Sequence, residues 1–458
     1  MSLDAIKSLI IEKRLQKIKN DLMDLDLDKV RKLITTTDMK LVDLGKKHNL
    51  IKSLKHCANN SPYYKERLPS LVYEANYRNV YSIIEKLPLT SSAEMSKNPD
   101  QFLAIPQSEV FGVHFTYGTT GGKKIIYNAK LDLDVINFSY AMGFINCGIT
   151  KKDIAHIVYS FGIWGLASNL FNALRNLGII TLPVGNYATF QEQKEFIEKF
   201  GTTFLFGTPS YVYNLSRDIE LSQTSKDRMK AIMVGGEGLP NHRRKIIEEN
   251  LGGEVFMNYG LNEFGGGIGS ECEKHNGYHM FTNTYFEIID PKSGDLVEKE
   301  EYGELVLTSL ARKAMPLIRY RTGDITRAME GECECELKLP MIDYLKGRAD
   351  DRIIIGAAEK YYPIVFDQLL DPIKEIKDYW IEVENENEKD TMRIFVLTDK
   401  PSNTLEEKIR EILYSNNSIK IDVFTTKTIN EPEIIFIDQL PNKNAKRRRL
   451  VDNRKHKP

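Results

Sequence analysis

The strongest constraint on the fold lies between about residues 105 and 270, where short apolar runs alternate with amphipathic segments. IAHIVYSF, GIITLPVG, TTFLFGT, AIMVGG and EVFMNYG follow one another, and a helix-like stretch separates most of these runs from the next. Short apolar runs bounded by turn residues read as buried strands, and amphipathic stretches read as helices that cover them. Repeated strand-helix units of this kind build a largely parallel α/β sheet, and such sheets collect ligands at the carboxyl ends of their strands.

The flanking sequence departs from that pattern. Residues 4–60 carry apolar residues at helical spacing (Ile6, Leu9, Ile10; Leu41, Leu44, Leu50). Between about 280 and 345 the pieces YFEIID, GELVLTSL and LIRYRTGD predict a small antiparallel sheet or barrel. Beyond Gly347, IIIGAAEKYYPI, an amphipathic LEEKIREIL and the strand-like IKIDVF and EIIFIDQL predict a compact α+β unit. A chain of 458 residues exceeds the size of a single core. The expected organisation is a large α/β domain over 1–346, with residues 1–60 helical, and a small mobile α+β domain over 347–458.

A net charge of -1 provides no global field for nucleic acid or an anionic membrane. The opening MSLDAIKSLIIEKRLQKIKN is charged and amphipathic, unlike a secretory leader, and no stretch approaches the roughly 20 apolar residues of a membrane span. A cytoplasmic protein is expected, with a homodimer left open. Five cysteines, odd in number and sparse, argue against a disulfide framework.

Four segments carry chemistry. After the apolar FGVHF comes Thr116-Tyr117-Gly118-Thr119-Thr120-Gly121-Gly122-Lys123-Lys124. Glycines let backbone N–H groups approach an anion, threonine hydroxyls add donors and lysines add positive charge, as a triphosphate requires. The spacing is not that of the Walker pattern, and a plain Gly-rich turn has a similar composition. Asn258-Tyr259-Gly260-Leu261-Asn262-Glu263 follows a strand-like run, offering a ring to a base and a carboxylate to Mg2+. In Arg319-Tyr320-Arg321-Thr322-Gly323-Asp324 a carboxylate after a Gly turn can accept two ribose hydroxyls, although a surface salt-bridge cluster reads alike. Gly347-Arg348-Ala349-Asp350-Asp351 suits a hinge or a linker.

Together and in this order the four resemble the adenylate-forming superfamily of acyl-CoA synthetases, and within it the phenylacetate–CoA ligase group. Ser61-Pro62-Tyr63-Tyr64, Leu87-Pro88-Leu89-Thr90, Thr208-Pro209-Ser210-Tyr211 and Gly235-Gly236-Glu237 extend the resemblance from about residue 60 to the C-terminus. It implies that Thr116, Gly118, Thr119, Thr120 and Gly121 hold the ATP phosphates, that Glu263 binds Mg2+ and that Asp324 takes the ribose hydroxyls. Tyr259, Gly236 and Glu237 line the adenine and AMP site, to which Asn258, Gly260 and Asn262 are also assigned. Arg348 reaches the ribose or a phosphate, Asp350 is the pivot, and the C-terminal PNKNAKRRRLVD places the catalytic lysine at Lys446, with Lys443 as second candidate. Tyr159, Phe161 and Trp164 offer an apolar pocket for an aryl or short hydrophobic acid, or are ordinary strand-end packing. Two departures stand out: Gly122-Lys123 replaces the usual Lys-Pro, and Glu359-Lys360 replaces a smaller or neutral pair.

The implied activity is ATP-dependent conversion of a carboxylic acid to an acyl-adenylate, followed by transfer to coenzyme A. Transfer to a carrier-protein phosphopantetheine, or adenylation of another cofactor, are the alternatives within the same chemistry. A non-catalytic scaffold is a third reading, and the retention of Thr119, Glu263, Asp324, Arg348 and Lys446 argues against it.

A second metal is suggested by Cys333-Glu334-Cys335. If extended, its period of two places both sulfurs on one face. Cys272, with His275 or His279, would complete a tetrahedral Cys3His zinc site of structural character. His279 fits the resemblance better.

Overall fold

The five apolar runs form neighbouring strands of one sheet. The computed structural model describes residues 27–36, 38–117, 123–335, 337–349, 353–356, 359–386, 389–439 and 449–454. The chain divides into two compact units, one of residues 1–239 and 246–344, the other of 240–245 and 345–458.

In the first unit, helices Leu27–Thr36 and Met39–Asn60 precede a hairpin of β1 (Gly112–Tyr117) and β2 (Lys123–Asn128). The main sheet follows, with β3 (Ile154–Ile157), β4 (Ile180–Leu182), β5 (Phe204–Gly207), β6 (Ala231–Gly235) and β7 (Glu254–Leu261) all parallel. β8 (Gly266–Ser270) and β9 (Tyr278–Met280) continue it antiparallel. β10 (Thr284–Ile289), β11 (Gly303–Ser309) and β12 (Tyr320–Thr326) then run antiparallel to one another. β13 (Ala328–Met329) and β14 (Met341–Ile342) return to the main sheet, whose order is β13-β14-β9-β8-β7-β6-β5-β3-β4.

That order has a functional consequence. From β3 the chain goes out to β4 and comes back to β5 on the other side of β3. The reversal opens a crevice at the carboxyl ends of β3 and β5, where open α/β sheets bind ligands. Helices start where local chemistry directs: Thr189 and Glu192 form a capping box for Phe190–Phe200, which ends on Gly201 in the left-handed conformation. Thr208 caps Pro209–Asp218, which has Pro at its start. Ile136, Phe144, Ile157, Leu170, Phe206 and Phe256 fill the core between the helices and the sheet. Burying such side chains contributes about 1.5–3 kcal/mol each. Among the described residues no helix is long and apolar enough to cross a membrane.

The second unit opens with β15 (Gly347–Arg348) and the hairpin β16 (Ile353–Ile355) and β17 (Glu359–Tyr361). Its sheet has the order β20-β19-β18-β21, with β18 (Asp378–Glu386) antiparallel to β19 (Lys389–Leu397) and the edge strands β20 (Glu433–Ile437) and β21 (Leu450–Asp452) parallel to their neighbours. Helices Pro363–Leu370 and Asn403–Tyr414 share a core with this sheet through Phe366, Leu370, Leu405 and Ile409. One sequence expectation is corrected. IKIDVF is not a strand but most of the helix Asn417–Phe424, because the Asn416 side chain caps its first turn. Spacing of four then puts Ile419 and Val423 together in the core.

β3 contains a fully buried His156, whose ring Nε2 lies 2.8 Å from Gln193 Oε1. Burial pushes its pKa down to about 4, against an ordinary 6.5. The folded state therefore holds the imidazole neutral while the unfolded chain protonates, so stability is full above pH 6.5 and is lost as pH falls toward 4. The loss amounts to about 3 kcal/mol. His156→Gln should flatten that acid limb in calorimetric melts across this range; an unchanged slope would remove His156 as its source.

Candidate functional site

The segment RYRTGD sorts its side chains by strand alternation. Arg319 and Arg321 turn to one side. Arg319 Nε and Nη2 bind the Glu287 carboxylate at 3.2 and 2.9 Å, and Nη1 donates to the carbonyls of Glu85 and Leu87 at 2.9 and 2.7 Å. These bonds hold Arg319 at a φ of 47°, unusual for a residue with a side chain. Arg321 Nε donates to Glu304 at 3.0 Å. Tyr320 turns to the other side. A bulge opposite residues 304–306, with Gly323 at a φ of 79°, aims Asp324 toward β7.

Two carboxylates meet this face. Asp324, 8% exposed, accepts a 2.7 Å hydrogen bond from the Tyr259 hydroxyl. Burial, then the Asp324 charge, pushes the Tyr259 phenol well above its ordinary range, so it stays a donor. Glu263 is 7% exposed, in the short turn after β7. Its Oε1 accepts from Lys124 Nζ at 2.6 Å and from the Tyr320 hydroxyl at 3.1 Å, while Lys124 Nζ also donates to Tyr320 at 3.0 Å. Burial pushes the Glu263 carboxyl up, and the Lys124 charge together with the hydrogen bonds from Lys124, the backbone and Tyr320 brings it below its ordinary range, leaving an ionised group.

The hairpin supplies the other edge. Thr116 pairs directly with Lys124 across β1 and β2, and the Asn262 side chain donates to the Phe115 carbonyl at 3.1 Å, tying the hairpin to the Glu263 turn. Gly118, Thr119, Thr120 and Gly121 lie outside the described residues, as do Asp350, Lys446 and Lys443. Gly260 allows a close approach, since a Cβ there would fall 2.5 Å from the Gly266 carbonyl oxygen. At the end of β6, Gly236 has a φ of 88° and the exposed Glu237 accepts from the Ser210 backbone N–H at 3.1 Å. Asn258 pairs with Gly235 across β6 and β7. Arg348 stands in β15 of the second unit.

Of the three aromatics assigned to the acid, Tyr159 is buried at the end of β3, its hydroxyl 3.5 Å from the Gly235 carbonyl. Phe161 packs edge-on to Phe171. Trp164, immediately before the helix Gly165–Asn176, is 43% exposed, so it does not join Tyr159 in the buried wall.

The structure also gathers Cys272, His279, Cys333 and Cys335, whose ligand atoms all lie within 4.8 Å of one another. Cys272 and Cys333 sulfurs are 3.7 Å apart, and Cys335 Sγ is 3.3 Å from His279 Nε2. Four donors around a tetrahedral zinc stand about 3.8 Å apart, so the donor set fits such an ion. Burial holds the His279 imidazole below its usual range, in the neutral form that ligates. His275 is engaged elsewhere, with Glu254 at 2.8 Å and Glu271 at 3.2 Å.

Tyr320 was left without a site role by sequence reasoning, and Lys124, expected among the lysines that add charge for the phosphates, is paired with Glu263 instead. Both sit inside motifs quoted for other members. The available signal was period: Lys124 falls opposite Thr116 once 112–117 and 123–128 are read as one hairpin.

Comparison with known proteins is consistent with this geometry. The family model for AMP-binding enzymes matches residues 24–311, more than half of the chain. The phenylacetate-coenzyme A ligase of Pseudomonas putida is 28% identical over 412 residues, covering 88% of this chain and 93% of that protein. That of Escherichia coli (strain K12) is 28% identical over 366 residues, covering 78% and 83%. The crystal structure of 2-hydroxyisobutyryl-CoA ligase in the postadenylation state, in complex with 2-HIB-AMP, superposes with a TM-score of 0.76 at 18% identity, covering 92% of this chain and 91% of that one. At that identity the likeness establishes the fold.

Lys124→Met strands the Glu263 charge without its cation and should cost about 3–5 kcal/mol in urea unfolding. Adding Glu263→Gln should recover much of that loss; a double variant no more stable than Lys124→Met would dissolve the pair.

Proposed function

The chain belongs to the AMP-binding enzyme family, and we propose that it is an AMP-forming acid–thiol ligase of the phenylacetate–CoA ligase kind. It activates a carboxylic acid with ATP to an acyl-adenylate, releases pyrophosphate, and passes the acyl group to the thiol of coenzyme A. The observation that carries the reading is the junction on β12: Asp324 and Tyr259 paired at one end, Glu263 and Lys124 at the other, with the loop 118–122 joining the two strands that hold Thr116 and Lys124.

In this reading no protein nucleophile is needed. The acid's carboxylate attacks the α-phosphorus and pyrophosphate leaves; the thiolate then attacks the acyl carbon and AMP leaves. What the protein supplies is position and charge. Asp324, oriented by Tyr259, accepts the ribose hydroxyls, and backbone N–H groups and hydroxyls of 116–121 hold the phosphates. Gly236 and Glu237 border the nucleotide, together with Asn258, Gly260 and Asn262. A Mg2+ ion held by Glu263 would offset phosphate charge, and the two contacts described for that carboxylate both fall on Oε1. Arg348 reaches the ribose or phosphate, Lys446 faces the α-phosphate during adenylation, and Asp350 is the pivot that exchanges Lys446 for the thiol. The acid lies against Tyr159 and Phe161. Zinc at Cys272, His279, Cys333 and Cys335 would pin β8, β9 and the 333–335 turn together, and its filled shell leaves it a structural role.

A pyrophosphate-release screen over aryl and short aliphatic acids, with coenzyme A, with a phosphopantetheinylated carrier protein and with no thiol, should give thiol-dependent AMP formation with coenzyme A. The ligase reading fails if ATP binds and no acid turns over. Lys446→Ala should slow adenylation by about a hundredfold or more, leaving thioester formation from supplied acyl-adenylate largely intact. Equal loss in both half-reactions would move the catalytic cation elsewhere.

Elemental analysis of the purified chain should give one zinc per chain, lost in Cys335→Ser and kept in His275→Asn. Retention of zinc in the cysteine variant would put the ion at another site.

A further inference from the structure

The helix Lys130–Asn146 lies unusually close to β7 and β8 because glycines remove the obstacles. A Cβ on Gly143 would stand 3.3 Å from Asn258 Oδ1, and one on Gly266, whose φ is 120°, would stand 2.1 Å from the Tyr140 hydroxyl. The hydroxyl of Tyr140 is thus pressed against the β8 backbone, 8% of the residue is exposed, and the oxygen has no hydrogen-bond partner among the described residues. A buried hydroxyl left without a partner is costly, and such groups usually find one in a ligand or water.

This position is continuous with the acid-binding wall. Tyr159 reaches the Gly235 carbonyl; Gly235 pairs with Asn258, and a Cβ on it would lie 2.8 Å from the Asn258 carbonyl oxygen. Asn258 in turn faces Gly143, one turn along the helix from Tyr140. Tyr140 and Tyr159 belong to the same core. Desolvation by burial pushes the Tyr140 phenol above its usual range, so it stays protonated.

We propose that Tyr140 is a specificity determinant that recognises a neutral hydroxyl group on the acid, at the end remote from the reacting carboxylate. A phenol both donates and accepts, and a hydroxyl can answer it in either role. The burial of this position disfavours a second carboxylate or an amine, either of which would have to shed its water to reach it. This rests on the acid-activating function proposed above.

Full-length enzyme is assayed for pyrophosphate release with phenylacetate, with 3- and 4-hydroxyphenylacetate, and with the corresponding methyl-substituted acids as isosteres. The same acids are measured as sulfamoyl-adenosine conjugates for affinity, which requires no turnover. One hydroxylated acid should exceed its methyl isostere by about tenfold or more in kcat/KM and in conjugate affinity, and Tyr140→Phe should collapse that ratio toward unity. A methyl isostere used as well as its hydroxylated partner, or a ratio unmoved in Tyr140→Phe, overturns the proposal. Failure of every acid to release pyrophosphate sinks the ligase reading instead, and the conjugate affinities still decide the role of Tyr140.

Discussion

A carboxylate withdrawn from water must bring a cation or donors with it, and in the first unit that requirement joins three separate pieces of chain. Glu263 comes from the turn after β7, Lys124 from β2 and Tyr320 from β12, and their polar atoms meet at 2.6–3.1 Å. None of the three could be buried alone at tolerable cost. This polar knot, together with the Asn262–Phe115 and Tyr259–Asp324 bonds, therefore ties the hairpin, the main sheet and the antiparallel strands to one another.

The same β12 strand shows how one short segment can serve structure and chemistry together. Its arginines face away from the knot and satisfy Glu287 and Glu304, securing the strand from behind. Its inward side turns Tyr320 to Glu263 and Asp324 to Tyr259. Because the supporting bonds and the functional groups lie on opposite faces, the first can be strong without occupying the second. The reversal of strand order around β3 marks the point where open α/β sheets bind their ligands.

The parallel sheet was legible in the sequence because its strands, buried on both faces, read as uninterrupted apolar runs between amphipathic helices. The clustering of Cys272, His279, Cys333 and Cys335 was legible because thiols and imidazoles are few in this chain. Other features were hidden for physical reasons. The run IKIDVF is rich in β-branched residues, and only its asparagine cap and tertiary packing make it helical. The arginines of RYRTGD have the composition of a surface cluster, yet Arg319 is buried, a distinction that depends on what lies across the sheet. Trp164 looked like pocket lining beside Tyr159 and Phe161, but its place just before a helix turns it outward. Lys124 could not be told from Lys123 until pairing showed which residue faces the core.

The helix Lys130–Asn146 meets the sheet across glycines, Gly143 on its own surface and Gly265 and Gly266 opposite Ile136 and Tyr140. A side chain at any of these positions would run into Asn258, Ile136 or Tyr140, so the missing Cβ atoms fix how the helix is seated. Enlarging Gly143 or Gly266 would lever the helix off its strands and carry Tyr140 with it, whereas replacements on its exposed side leave that seat undisturbed.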